Sequence, residues 1–114
     1  MRHELRPRLR IVRADDTIVL DPGKADLLDA IARTGSIRAA ADELEMSYMR
    51  AWTLVKTMNA AFRSPLVEKE RGGSAQGGAQ LTARGRAVLK LYRAMEKKAA
   101  KSTEDLWKQM KEQL

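Results

Sequence analysis

The side chains best suited to bind another molecule lie on one face of a predicted helix that starts after Ser47. Apolar residues recur there at positions 51, 55, 58 and 62, a spacing typical of one buried helical face. An arginine on the opposite face can bond both acceptors of a guanine, a threonine can contact a base edge, and a lysine fits a phosphate. The chemistry indicated is recognition of a nucleic acid, and the alternative is a solvated face without a ligand. The residues expected on this outer face are Tyr48, Met49, Arg50, Thr53 and Lys56.

The charge of the chain also favours a polyanionic partner. Its 114 residues carry a net charge of +7, with 22 Lys and Arg against 15 Asp and Glu. Residues 83–101 hold seven basic residues and one acidic residue, a net charge of +6. Residues 36–82 hold six basic and five acidic residues, a net charge of +1. A basic surplus on a domain of this size attracts nucleic acid first and an anionic membrane second.

Composition excludes several kinds of site. The chain has no cysteine, so it forms no disulfide, thiolate metal site or cysteine nucleophile. His3 is the single histidine, and no pair of acids has an obvious pocket, so we expect no enzyme activity. The six methionines suit packing better than metal binding, and neither a metal nor another cofactor is expected. Neither a signal peptide nor a membrane span is recognisable, which predicts a cytoplasmic protein without membrane attachment.

The order of elements is predicted by helix caps, periodicity and turn residues. Charged and apolar side chains alternate over residues 8–13, and together with residues 18–20 they predict a short hairpin. Three helices follow, and their capping residues are Asp21 before Pro22, Ser36 and Ser47. A strand at 66–70, a glycine-rich tip and a return strand at 80–81 predict a second hairpin, after which Thr82 caps the last helix.

This order defines a mainly α fold with a small β hairpin, the winged helix-turn-helix. The third helix would lie in the DNA major groove, and the second hairpin would be the wing. We expect Trp52 to pack against the protein core rather than against a DNA sugar. We assign residues 1–82 to the DNA-binding domain and residues 83–114 to a C-terminal dimerisation helix of the same domain. Further candidate DNA contacts are Ser36 and Arg38 at the second helix, Ser47 at the third, and Arg71 and Gln76 in the wing.

The last helix is expected to run unbroken to the chain end, because a mainly apolar stripe repeats at threes and fours. Its members are Val88, Tyr92, Met95, Ala99, Thr103, Leu106, Met110 and Leu114. A new helix at Ser102 is the alternative, since residues 102–105 resemble a capping box. An unbroken helix would be about 48 Å long and would protrude from the core. Its apolar stripe would then need a partner, and a second copy is the simplest one. Such a homodimer would read an inverted-repeat operator in double-stranded DNA, with half-sites about 34 Å or a multiple of it apart.

A resemblance to a known family is carried by five short stretches of residues 35–89. They are Gly35-Ser36-Ile37 with Ala39-Ala40-Ala41, Met46-Ser47-Tyr48 with Ala51-Trp52, Met58-Asn59, Pro65-Leu66-Val67, and the glycine-rich wing ending in Leu81-Thr82 before Gly85. Together they resemble the DNA-binding domain of ModE-type, molybdate-responsive transcription regulators, over about residues 20 to 100. The helix-turn-helix is more distantly similar to that of LysR-type regulators. In both families the helix after the wing contributes to dimerisation.

The resemblance implies a sequence-specific transcriptional regulator of molybdate or tungstate transport, or of molybdoenzyme genes. Full-length ModE proteins sense the oxyanion with one or two β-rich domains after the DNA-binding part, and we expect this chain to lack them. Sensing would then be absent or supplied by a separate oxyanion-sensing protein. Two other functions stay open from the residues alone. One is a protein-interaction module on a winged-helix scaffold, favoured by the low charge of residues 36–82, and the other is a non-specific nucleic-acid-binding protein that uses its basic last helix.

Overall fold

The computed structural model of the chain describes residues 1–70 and 78–114. Its elements in chain order are β1 (Ile11–Val12), β2 (Ile18–Leu20), α1 (Pro22–Thr34), α2 (Ile37–Glu43), α3 (Tyr48–Ala61), β3 (Val67–Lys69), β4 (Ala79–Leu81), α4 (Ala83–Ser102) and α5 (Glu104–Lys111). Two antiparallel hairpins are present, β1 with β2 and β3 with β4. The predicted winged helix-turn-helix is confirmed, with α2 and α3 as the helix-turn-helix and β3 and β4 as the base of the wing.

The helix boundaries are fixed by the capping residues that the sequence predicts. The side chain of Asp21 accepts a hydrogen bond from a backbone amide in the first turn of α1, and Gly35 ends α1 in the left-handed region with a φ of 73°. The hydroxyls of Ser36, Ser47 and Thr82 accept equivalent bonds at the starts of α2, α3 and α4. Each cap satisfies a backbone N–H that has no partner inside its helix.

The core surrounds α1, which contacts α2, β4 and α4. α1 supplies Leu27, Leu28 and Ile31, all of them fully buried. The predicted inner face of α3 is confirmed, because Ala51, Val55 and Met58 are buried and Phe62 packs partly buried against the same core. The outer face of α3 is thereby fixed as well, since a helix that buries one side exposes the other.

The first hairpin is shorter than the sequence predicts. The strand expected over residues 8–13 forms only at Ile11–Val12, and both of its side chains are exposed. The reason is that its partner β2 has three residues before Asp21 starts α1, so Arg8 to Arg10 have no strand to pair with. Leu9 instead lies beside α4, where its carbonyl oxygen accepts a 2.7 Å hydrogen bond from the Tyr92 hydroxyl.

The C-terminal region is two helices, so the expectation of one unbroken helix is wrong. α4 ends at Ser102 and α5 begins at Glu104. The hydroxyls of Ser102 and Thr103 both donate to the carbonyl oxygen of Ala99, at 3.1 and 2.9 Å. Such bonds compete with the backbone ladder and bend helices. The capping box at residues 102–105 does not form its side-chain bond, since Thr103 precedes α5 without one.

Candidate nucleic-acid interface

The N-terminal half of α3 presents an exposed outer face to solvent. Met49 is 68% exposed, and Arg50, Thr53 and Lys56 are exposed beside it. Tyr48, expected on the same face, is half-buried. No Asp or Glu occurs anywhere in α3, so the face has no negative charge of its own. The structure thus brings four of the five predicted outer residues together on one open surface.

Arg38 extends this surface from α2 onto the start of α3. Its guanidinium carbon lies 4.4 Å from the centre of the Tyr48 ring, a cation–π distance. Arg38 itself is exposed, and Tyr48 is held between it and the core. The contact therefore adds a positive charge to the outer face at the point where the helix-turn-helix bends.

The two predicted serine contacts have structural partners of their own. Ser36 accepts a 3.1 Å bond from the amide of Ala39, and Ser47 accepts a 3.1 Å bond from the amide of Arg50. Both hydroxyl oxygens therefore cap helices, which leaves their hydrogens to donate to an outside acceptor. Glu45, in the turn between the helices, adopts a φ of 56°, which lets α3 follow α2 closely.

Trp52 lies between the outer face and the core. Its ring is half-buried and packs against the core cluster, as expected. The ammonium of Lys56 lies 5.2 Å from the ring centre. Ile37, Asn59 and Val67 line the same shallow cleft, so the indole fills the corner between α2, α3 and the wing.

Asn59 is a site residue that the sequence did not single out for its role. Its side-chain oxygen accepts bonds from the amides of Leu66 at 2.9 Å and Val67 at 3.1 Å, and its amide nitrogen donates to the Val67 carbonyl at 3.0 Å. These three bonds tie the wing strand β3 to α3. The available signal is an asparagine inside a helix, where the residue is unfavourable unless its side chain bonds to backbone elsewhere.

The base of the wing is also bonded to the helix-turn-helix. The amide of Ala79 donates to the carbonyl of Gly35 at 2.9 Å, and Ser36 pairs with Gly78 across an isolated β-bridge. Lys69 and Gln80 are exposed on the hairpin itself. The predicted wing contacts Arg71 and Gln76 lie outside the described residues.

An ion pair between Arg33 and Glu43 joins the end of α1 to the end of α2. The Arg33 guanidinium donates two bonds to the Glu43 carboxylate, at 2.8 and 2.5 Å. Hydrogen bonding from Arg33 lowers the pKa of Glu43 below its usual 4.5. Both side chains face solvent, so the pair holds the two helices in register without a buried charge.

Among residues 1–70 and 78–114, no three His, Asp or Glu side chains gather closely enough to hold a metal ion. Within the same ranges, the helices are too short or too polar to cross a membrane.

The exposed face of α3 is compatible in size with the major groove of double-stranded DNA. A major groove about 12 Å wide admits one α-helix, and the exposed start of α3 with its free donors is the part that would reach base edges. Phosphates on either side would meet the positive charges of Arg38 and Lys56.

Comparison with known proteins identifies the class. Residues 24–86 match the family described as bacterial regulatory helix-turn-helix protein, lysR family. That match covers more than half of the chain, and the chain belongs to this family. The helix-turn-helix and the wing both lie inside the matched residues.

Particular relatives are ModE-type proteins, as the sequence resemblance predicts. The molybdenum transport protein ModE of Azotobacter vinelandii is 47% identical over 70 residues, which is 61% of this chain and 26% of that protein. The molybdenum-pterin-binding protein MopB of Rhodobacter capsulatus is 48% identical over 75 residues, 66% of this chain and 28% of that protein. The DNA-binding transcriptional dual regulator ModE of Escherichia coli K12 is 36% identical over 84 residues, 74% of this chain and 32% of that protein. The chain thus matches about a quarter to a third of the length of these relatives.

Solved structures agree on the fold. The chain superposes on full-length CbnR complexed with its target DNA with a TM-score of 0.56 and 25% identity, over 73% of this chain and 27% of that one. The complex of the CbnR DNA-binding domain with DNA gives a TM-score of 0.60 at 24% identity, over 77% of this chain and 95% of that one, and supports the fold alone.

Proposed function

We propose that this chain is the sequence-specific DNA-binding part of a ModE-like transcriptional regulator that acts in the cytoplasm. The observation that carries the proposal is the exposed first half of α3, which has hydrogen-bond donors and positive charge but no acid. A helix with that surface at the front of a winged helix-turn-helix is suited to enter the major groove. The name of the Azotobacter vinelandii relative supports genes of molybdenum transport as its targets, and the ModE-type resemblance extends the proposal to tungstate transport and to molybdoenzyme genes.

The exposed residues of the outer face take different roles in this proposal. Arg50 reads a guanine with two parallel bonds, because its planar guanidinium matches the O6 and N7 acceptors. Thr53, one turn further, contacts a base edge or a thymine methyl group. Lys56 meets a phosphate as a flexible point charge, and Arg38 does the same at the other end of the face. Met49, Tyr48 and the hydroxyls of Ser36 and Ser47 complete the contact with backbone or base.

We further propose that two chains pair through α4 and α5 to read an inverted repeat. The predicted stripe is divided by the structure: Tyr92 is buried in its own domain, while Leu106 is 68% exposed. On α4 the exposed large apolar side chains are Met95, which belongs to the stripe that was expected to pair, and Leu91, which lies one position before Tyr92. On α5, Met110 is exposed as well. Residues 1–82 then form the DNA-binding unit and residues 83–114 the pairing unit.

Binding to DNA is tested by fluorescence anisotropy with an operator selected from bound genomic fragments and a scrambled control. Arg50→Ala should weaken binding to the operator by about 1 to 3 kcal/mol and leave the scrambled duplex nearly unchanged. Lys56→Ala should weaken both duplexes similarly and lower the slope of log affinity against log salt by about one. Lys108→Ala on α5 removes the same charge from an exposed position away from α3 and serves as the control.

The outcomes separate the three functions. Equal losses on both duplexes for Arg50→Ala would refute base reading by this residue. Affinity that ignores sequence and survives Arg50→Ala would favour a non-specific protein using the basic α4. No salt-dependent binding of any duplex would favour a protein-interaction module, because docking on a protein releases no counterions from DNA.

Pairing is tested by sedimentation equilibrium. Leu91→Glu places a charge in the proposed contact and should raise the dimer dissociation constant at least about tenfold, or about 1.4 kcal/mol. Lys97→Glu, on the same helix but beside the face, should have a smaller effect. A dimer that is unchanged by Leu91→Glu would place the contact elsewhere.

A further inference from the structure

Arg93 joins α4 to α1 through carboxylates on both helices. Its guanidinium donates to Asp29 at 2.6 and 3.2 Å and to Asp26 at 2.8 Å, both on α1. A third acid, Glu96 on α4 itself, accepts at 2.9 Å. The Arg93 side chain is 30% exposed, so the cluster is partly shielded from solvent. One planar cation is therefore held by four hydrogen bonds in a fixed orientation.

A separate contact holds the beginning of α4. The backbone of Gly85 lies so close to β3 that an added Cβ would be 2.1 Å from the carbonyl oxygen of Leu66. The amide of Thr82 donates to that same oxygen at 2.9 Å, and the Thr82 hydroxyl donates to Pro65 at 2.7 Å. α4 is thus fixed at its first turn by the wing. Two turns later it is held by the buried Tyr92 and, beside it, by the bonds of Arg93 to α1. Contacts at two points along a rod fix its direction, and Arg93 supplies the second contact that is directed at α1.

We propose that Arg93 is a positioning residue that sets the half-site spacing the protein reads. The inference rests on the proposed function, in which α4 carries the pairing surface and α3 enters the groove. The angle between α4 and the rest of the domain then determines how far apart the two copies of α3 lie. Arg93 touches no DNA in this role, and it acts through the direction of α4.

The sensitivity of spacing to this angle follows from the length of the helix. α4 has 20 residues and is therefore about 30 Å long. A tilt of about 6° moves its far end by about 3 Å, close to the rise of one base pair, about 3.4 Å. A small loss of angular restraint is therefore enough to admit operators that differ by one base pair.

The first experiment measures spacing preference. The operator is prepared with its natural half-site separation and with one or two base pairs added or removed, together with a duplex that contains a single half-site. Arg93→Ala and Asp29→Ala should each lower the preference for the natural spacing about three- to fivefold, the size of effect expected of a partly exposed ion cluster. Affinity for the single half-site should stay within about twofold of the original protein, since α3 is unchanged. Lys97→Ala, which removes a charge one turn along α4, should change neither quantity.

A double variant and a conservative variant test whether Arg93 acts through its bonds to the carboxylates. Arg93→Ala with Asp29→Ala should lose no more preference than Arg93→Ala alone, because Arg93→Ala already removes the contact to Asp29. Arg93→Lys should retain part of the preference, since an ammonium keeps the charge but cannot bond several carboxylates in one plane. Equal losses on every duplex, including the single half-site, would show a merely structural role and overturn the inference. An unchanged spacing preference would overturn it too.

A second experiment does not depend on DNA. The chain has no cysteine, so spin labels at Ala60→Cys on α3 and Lys98→Cys on α4 report one intramolecular distance when labelled protein is diluted with unlabelled protein. Arg93→Ala should broaden this distance distribution, and Lys97→Ala should not. Broadening without any DNA binding would refute the proposed function while keeping Arg93 as the restraint on α4. An equally narrow distribution in Arg93→Ala would overturn the inference whatever the DNA result.

Discussion

Replacing Gly85 with alanine tests the close approach of α4 to the wing. The new Cβ would lie 2.1 Å from the Leu66 carbonyl oxygen, whereas real Cβ atoms stay beyond 3.0 Å. The neighbour is backbone of a fully buried residue, so no side chain can rotate away. The first turn of α4 must therefore retreat from β3 by about 1 Å, and the bonds from Thr82 to Leu66 and Pro65 lengthen with it.

The magnitude follows from three contributions. Overpacking against a rigid neighbour costs about 1 to 3 kcal/mol. Weakening the two hydrogen bonds of Thr82 adds about 1 to 2 kcal/mol. Alanine is about 1 kcal/mol better than glycine inside a helix, which offsets part of the loss. The net expectation is a decrease of about 1 to 4 kcal/mol in the free energy of unfolding.

Urea unfolding followed by circular dichroism measures this change, and Gly23→Ala is the matched control. Gly23 lies in α1 and is exposed, and its added Cβ would be 3.6 Å from the nearest atom, an ordinary contact. That variant should be neutral or more stable by up to about 1 kcal/mol. If Gly85→Ala proved as stable as Gly23→Ala, the contact between α4 and β3 would be looser than described.

Two further predictions concern the helix-turn-helix frame. Asn59→Ala should lower the free energy of unfolding by about 2 to 3 kcal/mol, because the buried amides of Leu66 and Val67 lose their acceptor. Asn59→Asp keeps the acceptor oxygen but, when ionised, sets a second oxygen against the Val67 carbonyl, which in the original protein accepts from the amide nitrogen of Asn59. At a pH low enough to protonate the new carboxyl, its O–H can donate in place of that amide, so Asn59→Asp should lose less than Asn59→Ala, and equal losses there would contradict the bonding. Because the folded-state pKa of Glu43 is lowered by Arg33, the stabilisation by this pair is complete well above pH 4.5 and is lost as the pH falls through the lowered pKa. Glu43→Gln should therefore lower the melting temperature at neutral pH and have a shrinking effect in acid, and a pH-independent difference would argue against the ion pair.

The elements that the sequence predicts correctly are those whose signals are local. Asp21, Ser36, Ser47 and Thr82 each cap the helix expected from them, and the inner face of α3 follows from periodicity alone. These features depend on neighbours within a few residues, and such neighbours are visible in the sequence. In these elements the tertiary packing agrees with the local sequence signals.

The features that escaped prediction depend on contacts distant in the chain. Tyr92 reads as part of a pairing stripe, yet its hydroxyl bonds to Leu9 and its ring is buried in its own domain. The role of Asn59 required knowing that residues 66–67 return to α3. At the interruption, the Thr103 hydroxyl donates to a backbone carbonyl of the preceding turn. Hydrophobic periodicity carries no information about such side-chain bonds.

The bonds at the wing base have a consequence for the choice of DNA. Asn59 ties β3 to α3, and the bond between Ala79 and Gly35 ties β4 to the start of α2. These bonds set the offset between the hairpin and α3 within the protein itself. In the proposed function, a DNA site that engages both must match this offset through its own groove width and bending. Base pairs that no side chain touches would then still influence affinity, through the stiffness of the DNA they form.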